Sequence, residues 1–247
     1  PMSQDGPARV YTVDSATGKI DMSQRLAGKR VLVTQASDYM GPDTIALFEE
    51  HGAEIIADDS DLTADGAVRE LVERAGHIDV LVANLAASAG RYKAAPDTDA
   101  DTFRNMYEVM VFPLQQLCTA VLPQMYERKR GKVVVFGSAT GLKGMEGYTG
   151  YSSARTAQVG YVRTVGLEAA RHNVQVNLIA QNYVENPVYY PPEVIAREDF
   201  QERLKQQVPA GRLATGREDA LFALFLASDE SDFFVGQSIP FSGGWTQ

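Results

Sequence analysis

From residue 29 onward, short apolar runs alternate with longer stretches in which apolar positions recur every three or four residues. The runs at 30–34, 54–57, 79–83, 132–136, 175–180 and 238–241 are dominated by Val, Ile and Leu and are too brief for helices. They predict strands, and the lack of polar alternation in most of them predicts strands covered on both faces. The stretches at 41–51, 66–75, 102–128, 150–172 and 217–228 carry the helical period. Pro42 fits a helix start, where its missing N–H is not needed.

Strands separated by helices call for right-handed βαβ crossovers. The predicted fold is therefore a single-domain, doubly wound (Rossmann-like) α/β fold, a mostly parallel sheet with helices on both faces. Its functional sites gather beyond the carboxyl ends of the strands. Residues 1–25 are polar and aperiodic and read as an N-terminal extension, with the domain spanning 26–247. Residues 182–208 hold Pro187, Pro191 and Pro192 among tyrosines and read as a capping loop with a helix in it, a common way to shape a substrate pocket.

With 247 residues, 45% of them apolar, the chain can bury a full core. A formal charge of −9 provides no basic face for a phosphate backbone, which argues against nucleic acid as a partner. The single cysteine, Cys118, lies in an apolar helical stretch and reads as core packing in a reducing compartment. No run is long and apolar enough for a spanning helix and no signal-peptide core is present, so the expected location is the cytoplasm, with no membrane partner. His51, His77 and His172 are scattered without a second ligand at metal spacing, and no metal is expected.

Candidate chemistry concentrates at one strand end. Ser138 follows the run 132–136, Tyr151 opens the helix beginning near residue 150, and Arg155 lies one turn further along the same face. A serine, a tyrosine and a basic residue four positions on resemble the catalytic set of short-chain dehydrogenases, with arginine in place of lysine. The resemblance spans about residues 28–247 and includes Asn177, Gly236-Gln237 and Gly243-Gly244.

The cofactor side departs from that family. Dinucleotide binding needs glycines that let the backbone approach a pyrophosphate at a helix N-terminus. Here the turn reads Thr34-Gln35-Ala36-Ser37-Asp38-Tyr39-Met40-Gly41, with Gln35 and Tyr39 at two glycine positions and only Gly41 kept. The family's Asn-Asn-Ala-Gly stretch is Ala83-Asn84-Leu85-Ala86, its Pro-Gly is Gln181-Asn182, and its central-helix asparagine is Met110 by spacing.

Arginine for lysine together with an aromatic in the glycine turn resembles halohydrin dehalogenases, which keep the serine and tyrosine and turn the cofactor pocket into a halide site. That resemblance implies a cofactor-free enzyme that closes vicinal halohydrins to epoxides, and opens epoxides with small anions such as azide, cyanide, nitrite or halide. Tyr151 is then the general base and acid, Ser138 holds the substrate oxygen, and Arg155 favours the phenolate. Tyr39 and the backbone around Gln181, Asn182 and Tyr183 would receive the halide, and Leu142, Tyr189 and Tyr190 would line the organic substrate. It also implies a homotetramer assembled through 102–128 and 150–172. An NAD(P)-dependent reductase is the alternative, supported by Asp58 where a ribose-binding carboxylate could sit, and a non-catalytic scaffold or ligand sensor is a third reading.

Overall fold

The computed structural model describes residues 23–247. The predicted extension, residues 1–25, lies outside the described residues except for its last three. Of these, Arg25 is held by the domain through a two-point pair with Glu230 at 2.8 and 2.7 Å.

The strands are β1 (Arg30–Thr34), β2 (Glu54–Asp58), β3 (Val80–Asn84), β4 (Gly131–Phe136), β5 (Val174–Gln181) and β6 (Ser238–Phe241). They form one sheet in the order β2-β1-β3-β4-β5-β6, and every neighbouring pair is parallel. Because β1 lies between β2 and β3, the chain changes direction across the sheet there. This opens a crevice at the carboxyl ends of β1 and β3.

The helices are α1 (Gly41–Glu50), α2 (Ala67–Ala75), α3 (Ala100–Met110), α4 (Phe112–Arg128), α5 (Thr140–Lys143), α6 (Thr149–Ala170), α7 (Pro192–Ile195), α8 (Glu198–Gln207) and α9 (Gly216–Ala227). Alternation along the strands sends Val31, Val33, Val82 and Val134 to the face covered by Leu47 and Phe48 of α1 and Leu224 of α9. Leu32, Leu81, Val133 and Val135 pack on the other face against α2, α4 and α6, where Cys118 is fully buried. Each such aliphatic side chain contributes roughly 1.5–3 kcal/mol by leaving water.

The single helix predicted over 102–128 is two helices, α3 and α4, broken at Val111. Pro113 explains the break: it lacks the N–H that a continuous helix would use, and its ring crowds the carbonyl one turn back. The carbonyl of Met110, freed there, accepts a hydrogen bond from Nε2 of the fully buried Gln158 at 2.8 Å. Among the described residues no helix is long and apolar enough to cross a membrane, and no cluster of His, Cys, Asp and Glu is placed to hold a metal.

The α1–α9 contact contains a polar fault. Asp219 of α9 is fully buried and neither carboxylate oxygen has a hydrogen-bond donor, while the Thr44 hydroxyl of α1 is buried without a partner. Burial, and then the charge of Asp43, push Asp219 up to about 8. The folded state therefore keeps a proton that the unfolded chain releases near pH 4. Its contribution to stability is fully present below that pH and is lost as pH rises through about 8. Asp219→Asn is expected to flatten the decline in unfolding free energy between pH 5 and pH 8 and to raise stability at neutral pH by about 1–3 kcal/mol, as measured by urea denaturation across pH.

Candidate active site

Ser138 lies just beyond the end of β4 and is buried. Its Oγ is 3.0 Å from the Thr140 Oγ1 and accepts the Thr140 backbone N–H at 3.2 Å, so the start of α5 fixes its rotamer. Tyr151, in the first turn of α6, is 8% exposed, and Arg155 one turn on is 2% exposed.

A guanidinium so far from water needs acceptors. One terminal nitrogen of Arg155 donates to the carbonyls of Leu85 (3.0 Å) and Phe136 (3.1 Å) and to Gln158 Oε1 (3.0 Å). Those carbonyls lie just after β3 and at the end of β4, so Arg155 ties both strand ends to α6. Its Cζ lies 5.1 Å from the centre of the Tyr151 ring, and its Nε is buried with no acceptor. Met106, Met110 and Ala154 complete the apolar wall around Tyr151.

Burial alone would push the Tyr151 phenol up. The Arg155 charge, and hydrogen bonding from Arg155, Tyr189 and Ser138, outweigh it and hold the phenol below its ordinary value. Burial instead pushes up Tyr39, Tyr183 and Tyr190. In this cluster Tyr151 ionises first.

The β1–α1 turn keeps the backbone of a glycine turn while carrying side chains. Gln35 and Tyr39 have φ of +45° and +51°, left-handed values that cost a non-glycine residue roughly 1–2 kcal/mol each. Compensation comes from a clamp. The Gln35 amide donates to the Ala86 carbonyl (3.0 Å) and accepts the Ala86 N–H (2.8 Å), and Asn84 Nδ2 donates to the carbonyls of Gln35 and Asp38. Gly41 is required at the helix start because a Cβ there would strike the carbonyls of Gln35 and Ala36.

This turn lacks two of the glycines with which a dinucleotide's pyrophosphate is approached. The Tyr39 side chain lines the site cavity, and the Asp59 carboxylate takes the Ser37 N–H (2.8 Å) and hydroxyl (2.6 Å). Asp58 is also engaged, accepting from Ser60 Oγ at 2.7 Å with Arg74 at 3.4 Å.

A cavity of about 110 Å³ lies over Ser138, Tyr151 and Arg155, with room for a molecule of a few heavy atoms. Tyr39 lines it from the turn, and Gln181, Asn182 and Tyr183 line it from the end of β5. Tyr189 and Tyr190 line it from the capping loop, which carries two helices, α7 and α8, in place of the one expected. The Tyr183 N–H donates to Asn182 Oδ1 (2.9 Å), and the Gln181 side-chain oxygen is buried without a donor.

Leu142 does not line the cavity. The short helix α5 turns it onto the core cluster of α4 and α6, and Thr140 takes the place beside Ser138. Sequence reasoning also missed Asn186, whose Oδ1 accepts the N–H groups of Val188 (3.1 Å) and Tyr189 (2.8 Å) and so shapes the capping loop. The Asn-Pro pair at 186–187 is a turn signal that could have marked it.

The family described as Enoyl-(Acyl carrier protein) reductase matches residues 22–246. The 3-oxoacyl-[acyl-carrier-protein] reductase FabG of Thermotoga maritima is 31% identical over 249 residues, covering 89% of this chain and 98% of that protein. A solved structure of a dehalogenation enzyme superposes with a TM-score of 0.82 at 31% identity, covering 90% of this chain and 100% of that one. The L-sorbose reductase of Gluconobacter frateurii, solved with NADPH and L-sorbose, gives the same TM-score at 20% identity over 90% of this chain and 98% of that one, a likeness of fold.

Phenolate absorbance should show one tyrosine titrating ahead of the rest, absent in Tyr151→Phe and moved to higher pH in Arg155→Met. Arg155→Lys, which keeps the charge but not the planar fork, is expected to lose about 2 kcal/mol of stability in chemical denaturation because buried carbonyls lose their donor. Unchanged titration in Arg155→Met would remove Arg155 from this role.

Proposed function

This chain belongs to the short-chain dehydrogenase/reductase superfamily, and we propose that within it the protein is a halohydrin dehalogenase that works without a nicotinamide cofactor. The observation that carries this reading is the joint state of two neighbouring regions. Ser138, Tyr151 and Arg155 are assembled, while Tyr39 and the clamped Gln35 fill the turn that would bind a dinucleotide. The likeness to a dehalogenation enzyme supports it.

In ring closure the Tyr151 phenolate takes the substrate's hydroxyl proton while Ser138 hydrogen-bonds the same oxygen. The oxygen then attacks the neighbouring carbon from the face opposite the halogen. The carbon–halogen bond breaks with its electron pair, leaving an epoxide, a halide ion and a neutral tyrosine. In ring opening a small anion attacks an epoxide carbon, and Tyr151 delivers its proton to the departing oxygen. Halide in a dry pocket is costly unless donors meet it. Tyr39 and the segment Gln181-Asn182-Tyr183 are the groups assigned to this, with Asn182 turning away to free the Tyr183 N–H.

The reductase names of the matching family and of the Thermotoga relative favour a second reading, an NAD(P)-dependent reductase. It would require Tyr39 to leave the turn and Asp59 to release Ser37. One assay separates the two. Purified protein with a simple bromo-alcohol and no nicotinamide should release bromide and epoxide in equal amounts, with Tyr151→Phe slower by about 10²-fold or more, and Tyr39→Ala should weaken inhibition by bromide or azide. Turnover of a carbonyl or alcohol only when NAD(P) is supplied would establish the second reading.

We also propose a homotetramer built through α3, α4 and α6. Phe112 is 51% exposed and Leu167 67% exposed on these helices, an apolar surface suited to a partner copy. Light scattering is expected to give four times the chain mass, and a monomer would overturn the assignment.

A further inference from the structure

The segment that follows β3 runs along the rim of the site cavity and is fastened on two sides. On one side the Tyr189 hydroxyl of the capping loop donates to the Ala87 carbonyl at 2.5 Å. On the other, the Tyr92 hydroxyl donates to Glu146 Oε1 at 3.0 Å and the Lys93 N–H donates to the Gly147 carbonyl at 2.9 Å, both acceptors lying in the turn between α5 and α6. Ala89, between the two fastenings, lines the cavity, and so does Met145 from that turn. Both are half-buried, whereas Ser138, Tyr151 and Arg155 are buried. Ala89 and Met145 therefore form the rim, and the catalytic set lies below it.

Met145 can act as a wall only if its backbone is held. Its side chain has three rotatable bonds, and its turn lies between Gly144 and Gly147, both at φ +79°. Such glycines permit the turn and carry no side chain that could anchor it. The Tyr92 ring supplies the hold. It packs over the Gly147 backbone so closely that a Cβ at 147 would strike it, and it meets the Tyr148 ring edge-on, with 6.5 Å between centres. Tyr92 is itself 58% exposed, so burying its own ring in the core is not what places it there.

We propose that Tyr92 is a clasp that sets the size of substrate the cavity accepts, holding Met145 at the rim by its ring over Gly147 and its hydroxyl on Glu146. It touches no reacting atom and is a positioning residue that acts through Met145. The cavity of about 110 Å³ then admits a hydroxyl-bearing carbon with small substituents, and a bulky substituent has to displace Met145. That the molecule selected is a halohydrin or an epoxide rests on the dehalogenase reading. The clasp itself applies to any alcohol whose oxygen reaches Ser138 and Tyr151.

Two readouts test this. Hydrogen exchange of peptides spanning residues 142–150 should be several-fold faster in Tyr92→Ala than in the wild type, and less accelerated in Tyr92→Phe, which keeps the ring and loses the bond to Glu146. Binding of secondary alcohols from 2-propanol to 1-phenylethanol, followed by ligand-observed NMR, reads the size limit. The wild type should favour the small alcohols. Met145→Ala should raise the ratio of large-alcohol to small-alcohol affinity by about 10-fold, and Tyr92→Ala should raise it several-fold, with the Tyr151 phenolate titration unmoved in both. The double variant should match Met145→Ala alone, since residues that act through one another are not additive. Unchanged exchange or an unchanged ratio in Tyr92→Ala, full additivity, or a wild type that shows no size preference, absence of binding included, would overturn the clasp. A ratio that shifts together with the phenolate titration would also overturn it, because Tyr92 would then be acting through the start of α6. Bromide release by the same preparations reports on the reaction separately: size selection without bromide release removes the dehalogenase reading and leaves the clasp.

Discussion

A charge that has left water organises this site. Arg155 is 2% exposed and has no carboxylate among its hydrogen-bond partners, so its compensation comes from two backbone carbonyls and an amide. Hydrogen bonds to a charged donor contribute roughly 1.5–3 kcal/mol each, and a buried cation stripped of them would cost more than that. Residues 85 and 136 are therefore drawn to one nitrogen. Gln158 extends the network to the Met110 carbonyl at the break between α3 and α4. The same cation has no built-in counter-ion, which is the condition under which a neighbouring phenol is stabilised as a phenolate.

The second organising feature is a turn with the backbone of glycines and the side chains of larger residues. The β1–α1 turn retains left-handed conformations at residues 35 and 39, where glycine would be free of strain, yet side chains occupy both. Such strain persists only where surrounding contacts over-determine it. For Gln35 those contacts are the two bonds to Ala86. Tyr39 meets Tyr189, a residue of the capping loop, so the turn and the loop close on each other across the space above Tyr151.

The fold was legible because its signals are local or periodic. β1 and β6 match the expected runs, and the other four strands differ by one residue at one end or both. The break at Val111 was hidden because apolar periodicity continues across it while Pro113 interrupts only the hydrogen bonding. Ser138, Tyr151 and Arg155 were readable from spacing, since a strand end and a first helical turn meet at a point that topology defines. What stayed hidden depends on contacts between segments distant in sequence. The clamp of Gln35 on Ala86, the seizure of Ser37 by Asp59 and the reach of Tyr189 to Ala87 leave no periodic trace. Leu142 was misplaced for a related reason, as a four-residue helix too short to show a period decides which way it faces.

Low-thirties identity to both a reductase and a dehalogenation enzyme says that the scaffold is shared, and function has to be argued from the site that a scaffold carries. The arginine bears on that argument. Arg155 spends one nitrogen on Leu85, Phe136 and Gln158, lies against the Tyr151 ring and still lines the cavity. A guanidinium placed this way can favour a phenolate and brace two strand ends at once. The side chains carried by the glycine-like turn and the hydrogen bonds by which Arg155 braces two strand ends meet at one cavity, which Tyr39 and Arg155 both line.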